Sequence, residues 1–324
     1  MSFKQKRSAV IVVCIAMALV ISILVLLFQG QGRFQAGFDS NSSNYGKGLE
    51  HNGKWHSFRS DLKTVLIMGL DKYERPEESW GYLNNQQADF LILLVIDESA
   101  GDCNILHLNR DTMTEIPRLG VSGDVAGSFV GQLALAHTYG SGGSDSCLNA
   151  VKAVSKLLCG VKIDHYITMT MDGVEKITDL VGGVKVKILD DFSAVDPELV
   201  QGQEMVLKGS QALTYVRTRR DLDDSSNLHR MERQRQFMNA LYEKLLQCTE
   251  DDSEFLVKML LELSDSVMSD CTPSQLEVLS DLMESCSLKN ITPLKGEAVK
   301  GDEFMEFFID EASLKETVIS LFCE

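Results

Sequence analysis

A chain of 324 residues with 44% hydrophobic content is long enough to bury a sizeable core, as one large domain or two small ones. A formal net charge of −16 excludes nucleic acid and anionic membrane surfaces as general partners, so any basic site must be local and selective. The composition also excludes a wholly disordered chain.

The amino terminus is a different material from the rest. Lys4, Lys6 and Arg7 precede an apolar run from Ala9 to Phe28 that is interrupted only by Ser22. About twenty such residues span a ~30 Å hydrocarbon core. A cleaved signal peptide would carry a shorter apolar region ending in small residues. The pattern therefore predicts an uncleaved anchor over 9–28, a cytoplasmic tail over 1–8 and the bulk of the chain outside the cell. From Gln29 to Ser60 the composition shifts to Gly, Ser, Asn and Gln, which predicts an extracellular stalk over 29–60. Within it "GLEHNGK" (48–54) has the glycine and lysine spacing of a phosphate loop, but Trp55 follows where a hydroxyl residue belongs and no strand is predicted before it.

Beyond Ser60 the apolar runs become short and β-rich: "TVLIMGL" (64–70), "FLILLVI" (90–96), "CNILHLN" (103–109), "HYITMTM" (165–171) and "VKVKI" (184–188). Continuous apolar strands imply a sheet covered on both faces. "SDSCLNAVKAVSKLLCG" (144–160) and "MDGVEKITDLVGG" (171–183) carry helix start and stop signals. Alternating strands and helices predict an α/β layered domain. After Gln247 the chain is acidic and mostly helical, with a strand expected in "EFMEFFID" (303–310) and a last helix near Leu314 to Phe322.

Eight cysteines are present, of which Cys14 falls in the expected membrane span. No CxxC pair exists and the six histidines show no zinc spacing, which argues against zinc. Disulfides among Cys248, Cys271, Cys286 and Cys323 are open, and their pairing cannot be read from sequence. No GxSxG elbow is present either.

Charged residues gather where the strands end. Asp71 follows the first long strand, Asp89 opens the second, and "NRDT" (109–112) sets Arg110 and Asp111 just past the third. Ligands of α/β sheets sit at strand ends, although an Asp there also serves turns and Arg110 with Asp111 can form a structural ion pair. Six of the twelve arginines fall between Arg217 and Arg235. A helix starting near Ser226 or Asn227 places Arg230 and Gln234 on the same stripe as Phe237, Met238, Leu241 and Leu245, with Arg233 and Arg235 flanking it and Glu232 facing away. Arg217 and Arg219 would share a face if Tyr215 to Arg219 is extended. Buried guanidinium groups need anionic partners, either Asp221, Asp223 and Asp224 or a bound anion, and their fork suits phosphate oxygens.

"VLIMGLD", "ADFLILLVID", "NRDT", "LVGGVKVKI", "LKGSQALTYVRTR" and "RMERQRQ" stand in the order and spacing of the LytR-CpsA-Psr proteins of Gram-positive cell envelopes, and the chain resembles that family over about Leu62 to Leu246. The resemblance implies an α/β/α layered domain with a central mixed sheet, here over 61–248, behind one transmembrane helix and followed by a helical and strand extension over 249–324 that packs on it. It implies transfer of a glycopolymer, a teichoic acid or a capsular or wall polysaccharide, from polyprenyl pyrophosphate to peptidoglycan through a phosphodiester, with magnesium or another divalent cation. By position, Arg110, Arg217, Arg219, Arg230 and Gln234 would hold the pyrophosphate and Asp71 and Asp89 the metal. Asp89, Arg110 and Arg219 would be catalytic. Alternatives are a regulator that binds the same lipid without catalysis, and a hydrolase of it. Three departures from the family pattern stand out. Gln132 and Ala134 replace a lysine and an asparagine, Asn227 replaces an aspartate, and "KYERPEESWGYLNNQQ" is inserted after Asp71.

Overall fold

The computed structural model describes residues 46–70, 83–84, 86–120, 122–218, 227–252 and 255–324. The expected anchor over 9–28, and with it Asp71 and Arg219, lies outside the described residues. No helix among the described residues is long and apolar enough to cross a membrane.

In chain order the strands and helices are β1 Gly48–His51, β2 Lys54–Ser57, β3 Leu62–Leu70, β4 Ala88–Asp97, β5 Asp102–Leu108, β6 Met113–Leu119, β7 Val125–Gln132, α1 Ser144–Leu157, β8 His165–Thr170, α2 Met171–Leu180, β9 Val184–Lys187, β10 Glu204–Leu207, α3 Gly209–Arg217, α4 Asn227–Asp251, α5 Phe255–Leu263, β11 Val267–Ser269, α6 Pro273–Ser285, β12 Ser287–Pro293, β13 Gly296–Lys300, β14 Met305–Ile309 and α7 Glu311–Phe322, with a 3-10 turn at Leu133–Ala136. They fall into two compact units.

One unit runs through Thr170 and adds Met268–Cys271 and Lys289–Glu324. Its centre is a six-stranded sheet in the order β11-β8-β3-β4-β5-β12. The sheet is mixed: β3 pairs antiparallel with β4 and parallel with β8, and β4 pairs antiparallel with β5. Leu91 to Ile96 of β4 are all buried, which is why this strand reads as an unbroken apolar run. On one face Leu66, Met68, Leu91, Leu93 and Leu106 pack with Ala150, Val151 and Val154 of α1 and with Val318 and Phe322 of α7. Burying leucine-sized side chains in this way contributes about 1.5–3 kcal/mol each before the entropy of ordering them is set against it.

The other unit comprises Met171–Val267 with Thr272–Leu288. Its core gathers Ile177, Val184, Val186, Phe192, Tyr215, Val216, Phe237, Leu245 and Met259. Helix α2 stops where the sequence signals it: Gly182 and Gly183 take φ of 77° and 106°, and their amides close onto Asp179 and Thr178. A Cβ at Gly183 would stand 2.6 Å from Val206, so no other residue fits there.

Several expectations need correction. The stalk expected over 29–60 does not extend through its second half: residues 48–57 form the β1–β2 hairpin, turned by Asn52 and Gly53 at φ 51° and 73°. That hairpin is "GLEHNGK", whose glycine and lysine spacing is thereby explained without a phosphate. It is tied down by Gly46 N–H to Gly160 O at 2.9 Å and Arg59 N–H to Phe322 O at 2.8 Å. The "VKVKI" strand does not join the central sheet; β9 pairs with β10 alone. Nor do the units follow the boundary expected at 248, because β11 and β12 from the extension pair onto the two edges of the central sheet. Among the described residues, all seven cysteines are free thiols.

Candidate functional site

In the sheet unit, Asp89 stands at the start of β4 and Arg110 just past the end of β5. Leu91 of β4 faces Leu108 of β5, so the antiparallel pairing sets these two ends side by side. Asp89 is 7% exposed. Arg110 donates Nη1 to Asp89 Oδ1 and Nη2 to Gln87 Oε1, and its Nε lies 3.5 Å from Asp111 Oδ1. Arg110 is therefore shared between Asp89 and Asp111, while Asp71, the other carboxylate expected at these strand ends, lies outside the described residues.

The loop that carries Arg110 is fixed from three directions. Ala134 N–H bonds Arg110 O at 2.9 Å, Leu133 N–H bonds Thr112 O at 2.8 Å, and Phe307 N–H bonds Asp111 O at 2.9 Å. Gln132 donates its amide to Asp111 Oδ1 at 2.9 Å and to Met305 O at 2.7 Å. Held this way, the loop presents Arg110 without the entropic penalty of ordering a free side chain.

The approach to Asp89 is equally constrained. Asn84 donates to the carbonyls of His137 and Thr138 at 2.9 and 3.0 Å, and Gln86 N–H returns to Asn84 Oδ1 at 2.8 Å. His137 Nδ1 lies 3.2 Å from Gln86 O and its Nε2 lies 3.6 Å from the Cys147 thiol. The neutral tautomer with Nδ1–H satisfies both contacts, donating to the carbonyl and accepting from the thiol. Burial pulls the imidazole down to about 4 and pushes the Cys147 thiol up, so both stay uncharged near neutrality.

In the helical unit the arginines divide by role. Arg230 and Gln234 are 3% and 5% exposed on one face of α4, as the helical phase predicts. Arg230 Nε donates to Asn227 Oδ1 at 2.7 Å, and Gln234 Nε2 to Val216 O at 3.2 Å. Arg233, expected only to flank the stripe, is buried more deeply still. Its Nε donates to Tyr215 O at 2.8 Å, its Nη groups reach Asp190 and Thr218 O, and its guanidinium lies 5.3 Å from the Phe192 ring centre. Enclosed at 1% exposure and held by a carboxylate and two backbone carbonyls, Arg233 serves the core of this unit.

Burial pushes the Tyr215 phenol up to about 12, and as a neutral hydroxyl it donates to Gln236 at 2.6 Å. Arg217 is exposed and ends helix α3, so Tyr215 to Arg217 is helical rather than extended. Asp221, Asp223 and Asp224 lie outside the described residues.

What sequence reasoning missed is the inner layer: Gln87 and Gln132 as partners of Arg110 and Asp111, and Asp190 as the partner of Arg233. Only Gln87 carried a local signal, two residues before Asp89 on a strand entrance. The oxygens beside Asp89, its own carboxylate and the Gln87 amide, are of the hard ligand type, and both accept from Arg110.

The LytR_cpsA_psr family model matches residues 34–320. The chain belongs to the LytR-CpsA-Psr family. It is 28% identical over 187 residues, 58% of this chain and 54% of the relative, to the polyisoprenyl-teichoic acid–peptidoglycan teichoic acid transferase TagU of Halalkalibacterium halodurans. With the enzyme of that name from Bacillus mycoides it shares 31% over 186 residues, 57% of this chain and 53% of that one. The matched segment spans about half the length of these curated relatives. Among solved structures, Bacillus subtilis TagV superposes with a TM-score of 0.56 at 21% identity over 81% of this chain and 96% of that one. Arg110, Arg230 and Gln234 of this LytR-CpsA-Psr protein are thus set in a fold shared with that structure.

Proposed function

We propose that this chain is a membrane-anchored phosphotransferase that moves a glycopolymer from polyprenyl pyrophosphate to peptidoglycan outside the cell. Membership of the LytR-CpsA-Psr family and relatives named as teichoic acid transferases support the reaction class. The apolar run over 9–28 with Lys4, Lys6 and Arg7 before it supports the anchor and its orientation.

The observation that carries the reading is Arg230. It is a guanidinium 3% exposed in the first turn of α4, where the helix dipole disfavours a cation and favours an anion. The Arg230 fork suits phosphate oxygens, and Gln234, one turn on along the same face, adds a neutral donor. By position in the family motifs, Arg110, Arg217 and Arg219 are proposed as further ligands of the pyrophosphate.

An acceptor sugar hydroxyl attacks the phosphorus that bears the glycopolymer. The new P–O bond forms as the bridging P–O bond breaks, and polyprenyl phosphate leaves. Negative charge grows on the bridging and equatorial oxygens, where Arg110 and Arg219 stabilise it. Asp89 accepts the hydroxyl proton. A divalent cation held by Asp71 and Asp89, magnesium by ligand type, supplies further charge neutralisation when bound.

A second reading is favoured by Gln132, a neutral residue committed to Asp111 and Met305 where the family carries a lysine. It is a regulator that binds the lipid without transferring its polymer. Incubating the full chain in detergent with a labelled lipid-linked saccharide and peptidoglycan oligomers separates the readings. Label on the oligomers means transfer, free polymer means hydrolysis, and intact bound lipid means regulation. Asp89→Asn should reduce transfer by ~10²-fold or more, with a modest loss of thermal stability because Arg110 keeps an amide acceptor. Undiminished transfer by this variant would remove Asp89 from the reaction.

A further inference from the structure

A second group of chemically active side chains lies at the other end of the central sheet. His165 opens β8, while Asp270 and Cys271 directly follow β11, its neighbour at the sheet edge. In the parallel register Val65 of β3 faces His165, whereas Leu70 of β3 faces Ala88, next to Asp89. Five residues of strand separate the two levels, about 17 Å at strand rise. The group is therefore distinct from the Asp89–Arg110 cluster.

The imidazole, carboxylate and thiol ligand atoms of His165, Asp270 and Cys271 all lie within 4.8 Å of one another. His165 Nδ1 stands 3.5 Å from Asp270 Oδ1, too long for a good hydrogen bond. It is close to the separation of neighbouring donors on a tetrahedral ion with bonds of about 2.0–2.2 Å.

The surrounding backbone fixes the ligands. Tyr166 N–H donates to Asp270 Oδ1 at 2.9 Å, Cys271 N–H to Ser269 Oγ at 3.1 Å, and Ser269 Oγ to Tyr166 O at 2.9 Å. Such outer contacts are what orient the inner ligands of a metal site. Cys271 is fully buried, while His165 and Asp270 are partly exposed and leave a path to solvent.

We propose that His165, Asp270 and Cys271 form a binding site for a transition-metal ion, zinc by ligand chemistry. Thiolate and imidazole are soft donors that select zinc over magnesium. Three protein ligands leave the fourth tetrahedral position to water. On binding, the Cys271 thiol proton is released to solvent and sulfur bonds the ion. The ion then clamps the turn after β11 to the start of β8 and secures the sheet edge.

The test is a cobalt titration of the full chain in detergent, stripped of metal beforehand. Cobalt should give the visible bands of a tetrahedral site together with a thiolate-to-cobalt charge-transfer band, and zinc should displace it. An oxygen-only site such as Asp89 cannot produce the charge-transfer band. Cys271→Ser should abolish that band and weaken binding by about 100-fold or more, whereas Cys248→Ser should leave it unchanged. Should Cys271→Ser fail to fold, Asp270→Asn and His165→Gln carry the test, each weakening binding and shrinking the zinc-induced rise in thermal midpoint. Absence of the charge-transfer band in the folded wild type, or its persistence in Cys271→Ser, would overturn the assignment.

Discussion

Gln132 donates its side-chain amide to Asp111 at 2.9 Å and so neutralises, by hydrogen bonding alone, part of a carboxylate that is 1% exposed. Removing that donor leaves a buried charge short of a partner, although Arg110 remains within reach of it. Gln132→Leu should therefore cost about 1–3 kcal/mol in urea denaturation of the full chain. Gln132→Lys, which restores a donor and adds a charge, should recover most of that loss. Equal stability of Gln132→Leu and wild type would show that the amide does not support the Arg110 loop.

Arg230 and Arg233 sit three positions apart on one helix and should be read out differently on substitution, the first in transfer and the second in stability. Arg233→Met strips Asp190 and two backbone carbonyls of their donor, and should destabilise the chain by about 3–5 kcal/mol. Arg230→Met should lower transfer by ~10²–10³-fold. The shift in midpoint produced by polyprenyl pyrophosphate should shrink in the same variant. A full ligand-induced shift with full activity in Arg230→Met would detach this helix from the pyrophosphate.

The acid limb of stability should carry the signature of His137. Burial holds its folded-state value at about 4, below the ordinary 6.5. The folded state therefore binds fewer protons than the unfolded state between those values. Its contribution is fully present above pH 6.5 and is lost as pH falls toward 4, to a total of about 3 kcal/mol. Substituting His137→Gln should flatten the stability profile over that window, as read by denaturation at pH 7 and pH 5. A profile of unchanged slope would mean that the imidazole takes up its proton without disturbing Gln86 and Cys147.

Strands β3, β4, β5 and β8 of the central sheet were legible because they are largely buried and written as apolar runs. Helix α4 was legible by its phase, since a turn of 100° per residue sets Arg230 and Gln234 on the same inward face as Phe237. What could not be read is the pairing of residues far apart in the chain. Nothing near Arg233 announces Asp190, and nothing near Asp111 announces Met305. The β1–β2 hairpin is a different case. Its Asn52-Gly53 turn is a strong local signal, masked here by polar strands too short to show alternation. The pairing of β11 and β12 with the sheet edges was hidden for the usual reason that register and partner choice are tertiary facts.

The clasp between β14 and the Arg110 loop has a consequence for how the protein comes into being. Phe307 N–H and Met305 O, which hold Asp111 and Gln132, belong to a segment synthesised long after the loop that they secure. Helix α7, which closes the core beneath the sheet, follows later still. Since domains fold as their residues emerge, the loop waits for its keeper. An unfinished chain carries the Arg110 loop without its β14 clasp, and the loop is complete only once β14 and α7 have folded onto their unit.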